Sequence, residues 1–203
     1  MGKETNTKKN TRKPPRLKKW NYAHPAAYFV TICAHNKKCV FGDVRNGEMA
    51  LNNAGRMVER VWDEIPAHFP HVELDVHIVM PNHVHGVIIQ TEMKFVGAPL
   101  VGARRPAYRA GTRPAPTTNR VPDRTSDRVP TRTLGEIVGA FKSMSTNEYI
   151  RNVKNNGWRR FNTRLWQRNY YDHVVRDEHD LTRIREYIVN NPAKWSDDEY
   201  YAG

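Results

Sequence analysis

Apolar positions recur along the chain with two different periods. Ala27-Tyr28-Phe29-Val30-Thr31-Ile32-Cys33 is rich in aromatic and β-branched residues, which pack well on a pleated surface, and predicts a first strand. Asn46-Gly47 predicts a turn after it. Met57, Val58, Val61, Trp62 and Ile65 then fall at helical spacing, with Asn53 as the expected cap and Pro66 near the end. Leu74, Val76, Ile78 and Met80 alternate with Glu73, Asp75, His77 and Val79. Pro81-Asn82 follows as a turn signal, then the run Val84 to Ile89, so a hairpin is predicted over about 73–80 and 83–90. Thr133-Leu134-Gly135-Glu136 fits a capping box ahead of the stripe Leu134, Ile137, Val138, Phe141 and Met144. That helix should run to about Arg151, with Asn155-Asn156-Gly157 as breaker. A strand is expected within Leu165–Val175. Asp177 should cap a last helix, with Asp180 at its third position and Pro192 as its stop. Strand, helix, strand, strand, helix, strand predicts an α+β domain of the ferredoxin-like βαββαβ kind, an antiparallel sheet with one helix added at its C-terminal side.

Charge adds two segments to this picture. Residues 1–19 carry eight Lys or Arg against Glu4, and Pro14-Pro15 opposes a regular element, so a disordered basic arm is expected. Between about 92 and 132, prolines alternate with arginines, with short echoes such as Arg-Val-Pro at 120–122 and 128–130. This reads as a disordered insertion into one domain over 20–195, with a tail at 196–203. The formal net charge of +12 points to a polyanionic partner, nucleic acid or an anionic membrane surface. No apolar run approaches the about 18–20 residues that span a bilayer. The N-terminus has no apolar core of a secretion signal, and Cys33 and Cys39 form no metal or disulfide pattern, so a reduced cytoplasmic setting is expected.

The candidate chemistry begins at Met80-Pro81-Asn82-His83-Val84-His85. Residues i and i+2 of a strand share a face, so His83 and His85 present two imidazoles side by side, a frequent ligand type for divalent metals. On the last helix, Leu181, Ile184 and Ile188 form the core stripe. Tyr187 and Asn191 are four apart and lie one above the other on the neighbouring face. That placement would suit a site between helix and sheet, although a tyrosine there is by itself more often a packing residue and the asparagine a helix C-cap.

Three motifs taken together resemble the REP-associated tyrosine transposases of the HUH single-tyrosine transposase superfamily. They are Met-Pro-Asn-His-Val-His at 80–85, Leu-Trp-Gln-Arg-Asn-Tyr-Tyr-Asp-His-Val-Val-Arg at 165–176 and Arg-Glu-Tyr-Ile-Val-Asn-Asn-Pro at 185–192. The resemblance spans about 20–92 and 133–195. It implies that His83 and His85 hold a divalent metal, with Asn191 as third ligand, and that Tyr187 is the nucleophile. Tyr170 and Tyr171 are rivals by residue type. Oxygen and imidazole ligands suit Mg²⁺ or Mn²⁺, and no cysteines stand at the spacing of a closed zinc site. With Tyr187 as nucleophile a 5′-phosphotyrosine intermediate is expected, on single-stranded or hairpin DNA, for which the resemblance implies REP-like palindromic form. The chain would act as a monomer in cis or as a homodimer. Lys142, Arg159, Arg160, Arg164 and Arg168 are candidate phosphate contacts. Trp20, Trp166 and Tyr170 are candidate base-stacking residues. Two other readings stand beside the enzyme. One is a domesticated, non-catalytic binder of structured nucleic acid. The other is a His-x-His oxygenase of the cupin type, which needs a carboxylate to complete a facial triad and a jelly-roll series of strands.

Overall fold

The computed structural model describes residues 20–92 and 132–201. The basic arm and nearly all of the Pro/Arg insertion lie outside the described residues. In chain order the elements are β1 (Ala26–Cys33), a 3₁₀ turn (His35–Lys37), β2 (Gly42–Arg45), β3 (Glu48–Leu51), α1 (Asn53–Asp63), α2 (Ile65–His68), β4 (Val72–Met80) and β5 (His83–Gln90). Then follow α3 (Leu134–Asn155), β6 (Tyr171–Val174), α4 (Glu178–Asn190) and a 3₁₀ segment (Pro192–Asp197). β4, β5, β1 and β6 form one sheet in that order, with every neighbouring pair antiparallel. The expected α+β architecture with its antiparallel sheet is borne out.

Capping chemistry sets the helix starts. Thr133 and Glu136 close the capping box of α3 reciprocally, and the Asp177 side chain accepts from the Asp180 N–H at the start of α4. α1 differs from the expectation. Its cap is Asn52, whose Oδ1 accepts from the N–H groups of Ala54 at 2.8 Å and Gly55 at 3.0 Å, while its Nδ2 donates to the Val40 carbonyl. Two consecutive asparagines carry the same chemistry, and the backbone that leaves β3 decides which one reaches the free amides. Pro66 does not end α1 but lies in the first turn of α2, where a missing N–H costs nothing.

The sheet is covered on both faces. On one, Tyr28, Val30, Ile32, Val84 and Ile88 meet α1 (Val58, Val61, Trp62) and α3 (Ile137, Val138, Phe141). On the other, Phe29 and Val87 meet Leu181, Ile184 and Ile188 of α4. β5 runs between two covered layers, which is why it reads as a near-continuous apolar run. A β-bulge in β4 departs from the straight alternation. Leu74 pairs with Ile88 but His77 with Gly86, three residues against two. Leu74 therefore packs with the α1/α3 layer while Val76 and Ile78 pack beneath α4. Alternating polarity carries no mark of such an inserted residue. β2 and β3 form a separate hairpin where only a turn was expected. Asn46 (φ 53°) and Gly47 (φ 76°) supply the two left-handed positions that its tight turn needs.

Candidate metal centre

Strand register builds the site. The period of two places His83, His85 and Val87 on the α4 face of β5, opposite Cys33, Thr31 and Phe29 of β1. Thr31 stands directly across from His85, and its Oγ1 lies 2.9 Å from His85 Nδ1. Phe29 stacks on the His85 ring at 5.5 Å. The Nε2 atoms of His83 and His85 face one another at 2.9 Å, and both residues are buried. Gly86, between His85 and Val87 on the opposite face, leaves room for the Trp62 indole: a Cβ there would lie 2.4 Å from Trp62 Cζ2.

α4 brings Tyr187 over this pair. Its hydroxyl lies 3.4 Å from His85 Nε2, its ring meets His85 at 5.1 Å, and 43 % of the residue stays exposed. Past Pro192, residues read from the sequence as the start of a tail fold back onto the same place. One ligand atom each from His83, His85 and Asp198 lie within 4.8 Å of one another. Asp198 is held by the Asn191 Nδ2, which donates to Oδ2 at 2.9 Å, and by the Tyr200 N–H, which donates to Oδ1 at 2.6 Å. The Tyr200 ring lies 4.9 Å from that of His83. Lys37 Nζ donates to the Glu199 carbonyl at 2.6 Å.

Asp198 was not singled out by sequence reasoning, because it belongs to no periodic element. The signal that could have found it is Asp197-Asp198-Glu199, three acids in a basic chain, just beyond the helix that carries Tyr187. Asn191 sits at the C-cap of α4. Its Oδ1 is buried without a hydrogen-bond partner among the described residues, beside the Asp198 that its Nδ2 holds.

Burial dominates the electrostatics. It pushes His83 down to about 3, with Lys37 adding to the effect, and holds His85 well below the ordinary imidazole value. Both rings are therefore neutral near pH 7 and keep lone pairs for a cation. Burial, with Asp198 and Glu199 nearby, raises Tyr187 to about 12, so its phenol keeps its proton. The donor set suits a divalent ion of the first transition row, Mn²⁺ included, because imidazole nitrogen is a softer donor than the oxygens that hard ions take. It contains nitrogen and oxygen donors and no thiolate. Two ligands at about 2.1 Å and a right angle stand about 3.0 Å apart, close to the observed separation of 2.9 Å between the two Nε2 atoms. The buried, unpartnered Asn191 Oδ1 is a further oxygen that a cation would satisfy.

A groove runs from Tyr187 along the sheet, lined by Phe29, Thr31, Tyr171, His173, Arg183 and Tyr200 among others. Tyr171 is 39 % exposed in it, whereas Tyr170 is buried with Lys142 over its ring. None of Lys142, Arg159, Arg160, Arg164 and Arg168 lines this groove. Lys142 Nζ donates to the carbonyls of Gln167, Arg168 and Asn169, which pins that loop. The loop's Leu165–Gln167 stretch hydrogen-bonds to Cys33 and His35, at the same end of the sheet as His83. Arg164 and Arg168 flank it, and Arg168 is exposed, as are Arg159 and Arg160. Trp166 is buried and its Nε1 donates to Ser145, so it packs in the core, while Trp20 stays 40 % exposed.

No family model matches the chain. An uncharacterized protein of Haemophilus influenzae is 36% identical over 195 residues, which cover 94% of this chain and 93% of that protein. Among solved structures, a REP-associated tyrosine transposase bound to a REP hairpin aligns with a TM-score of 0.49 at 14% identity, over 86% of this chain and 71% of that one. A proposed transposase from Deinococcus radiodurans R1 aligns with a TM-score of 0.43 at 16% identity, over 86% of this chain and 97% of that one.

Proposed function

The chain belongs to one family with the uncharacterized Haemophilus influenzae protein, and we propose that it is a transposase-like, divalent-metal-dependent DNA strand transferase with Tyr187 as nucleophile. One observation carries the reading: a phenol hydroxyl stands 3.4 Å from one of two neutral, paired imidazoles that share their space with a carboxylate. The three sequence motifs that resemble REP-associated tyrosine transposases converge at this end of the fold and support it.

His83, His85 and Asp198 would hold the cation, and Asn191, whose Nδ2 holds Asp198, would offer its unpartnered Oδ1 as a further oxygen. Bound there, a divalent ion would supply charge neutralisation and polarisation of the phosphodiester. Tyr187 is presented by a helix packed through Leu181, Ile184 and Ile188, and it lines the groove with its hydroxyl 3.4 Å from His85 Nε2. The Tyr187 oxygen forms a bond to phosphorus, the bond to the 3′ oxygen breaks, and a free 3′-OH leaves. The phenolic proton passes to solvent, and solvent returns a proton to the departing 3′ oxygen, so the step balances. The 5′-phosphotyrosine ester conserves the bond energy, so a later 3′-OH reverses the step and joins strands.

The partner is single-stranded or hairpin DNA of REP-like palindromic form. The exposed Tyr171 ring and the Arg183 guanidinium line the groove and supply a stacking surface and a phosphate contact. Arg159, Arg160, Arg164 and Arg168 add positive charge on the loop that reaches the His83 end of the sheet. Tyr187 meets His85 within one chain, which supports action by a monomer in cis. No helix among the described residues is long and apolar enough to cross a membrane.

The non-catalytic reading is favoured by one observation: His83 and His85 are only 0% and 1% exposed beneath the C-terminal segment. The deciding experiment is incubation of the full chain with a labelled single-stranded hairpin from DNA flanking its gene, in Mg²⁺ or Mn²⁺, followed by a denaturing gel. A covalent protein–DNA band with wild type that is absent with Tyr187→Phe is the expected result. Binding without that band, in either metal, would leave only the non-catalytic binder.

A further inference from the structure

Asn82 lies in the turn between β4 and β5 and is 1% exposed. Its Nδ2 donates to the carbonyls of Lys37 at 3.0 Å and Tyr200 at 2.8 Å. A side-chain amide nitrogen has two hydrogens, and both are used. The flipped amide would set Oδ1 against two carbonyl oxygens that only accept, so the orientation is determined. Oδ1 then faces His83 Nδ1 at 2.8 Å. Because Oδ1 only accepts, Nδ1 must carry the proton. In a neutral imidazole the other nitrogen then holds the lone pair. His83 Nε2 thus aims a lone pair at the space it shares with His85 and Asp198. Thr31 imposes no such choice on His85, because a hydroxyl both donates and accepts.

We propose that Asn82 is a positioning residue that holds His83 in the Nδ1–H tautomer, so that Nε2 is available as a ligand. Through the Tyr200 carbonyl it also ties the segment bearing Asp198 to the same turn. The inference rests on the divalent-cation reading of His83, His85 and Asp198. Its physical content is that one buried amide joins three chain segments: the loop after β1 at Lys37, the start of β5 at His83, and the C-terminal segment at Tyr200. A side chain that orients a ligating histidine through its second nitrogen typically changes metal affinity by about 10–100-fold when removed.

The test uses the full chain with ¹⁵N-labelled histidine. Long-range ¹H–¹⁵N spectra report the tautomer, with His83→Gln to assign the resonances, and the free Mn²⁺ signal in electron paramagnetic resonance reports affinity. Wild type should show His83 as Nδ1–H. Asn82→Leu should shift His83 toward Nε2–H and weaken Mn²⁺ binding about 10–100-fold. Asn82→Asp keeps the acceptor toward His83 and should restore the Nδ1–H form, but its second oxygen meets the Lys37 and Tyr200 carbonyls, so the tie to the C-terminal segment is lost and Mn²⁺ affinity is not restored in full. Wild-type His83 in the Nε2–H form overturns the proposal without any variant. An Asn82→Leu protein that retains both tautomer and affinity also overturns it. A wild type that shows the Nδ1–H form, loses it in Asn82→Leu and binds no Mn²⁺ upholds the positioning role and removes the cation reading.

Discussion

Gly86→Ala tests how the sheet carries the site. A Cβ at position 86 would lie 2.4 Å from Trp62 Cζ2, and 3.0 Å from each of Cε2 and Cη2. Ordinary contact needs about 3.4–4 Å, so the indole or β5 must yield by about 1 Å. Trp62 is fully buried, edge-on to Phe141 at 5.2 Å and beside His77 at 5.9 Å, so it has nowhere to retreat. Overpacking of this kind costs about 1–3 kcal/mol. Trp62→Phe removes the ring atoms that the new methyl strikes. It forfeits no hydrogen bond among the described residues, since Trp62 Nε1 is buried without a partner. The double variant should therefore be more stable than the sum of the single changes predicts, by about 1 kcal/mol or more. Urea unfolding followed by circular dichroism, with all four proteins at one temperature, measures the cycle. Strict additivity, or a Gly86→Ala protein as stable as wild type, would refute the claim that Gly86 exists to seat Trp62.

Asn52→Ala should cost about 1 kcal/mol by exposing two amides of α1, while Asn53→Ala should stay within about 0.5 kcal/mol; chemical denaturation separates them. Asp180 accepts from His173, Arg183 and the Arg176 N–H, and these bonds lower its carboxyl to about 2, against about 3.9 in an unfolded chain. A lowered carboxyl stabilises the fold above its unfolded value, and that contribution disappears as pH falls from about 4 through about 2. Thermal melts across that window should show a shallower acid limb for Asp180→Asn than for wild type; superimposable limbs would contradict it. Asp198→Asn should weaken Mn²⁺ binding at least about tenfold with little change in melting temperature, as read by calorimetric titration, because the carboxylate charge serves the cation and not the core.

What could be read directly from the chain was whatever depends on local geometry. A period of two puts His83 and His85 on one face wherever β5 lies in the sheet. Four residues of helix put Asn191 beneath Tyr187, and Thr133, Glu136 and Asp177 announce their helices through side chains that satisfy nearby amides. The order of the four sheet strands and of α1, α3 and α4 was legible for the same reason, while the β2–β3 hairpin and α2 were not. Tertiary structure decided what depends on meeting distant segments. The bulge in β4, which assigns Leu74 and Val76 to different layers, follows from pairing with β5. The choice of Asn52 over its neighbour follows from the path of the β2–β3 hairpin. Asp198 joins His83 and His85 only because the chain turns back after Pro192, held by Asn82, Lys37 and Asn191. Those bonds span from 7 residues between Asn191 and Asp198 to 162 between Lys37 and Glu199. No local pattern records such contacts, because their energy arises only once the segments are already in place.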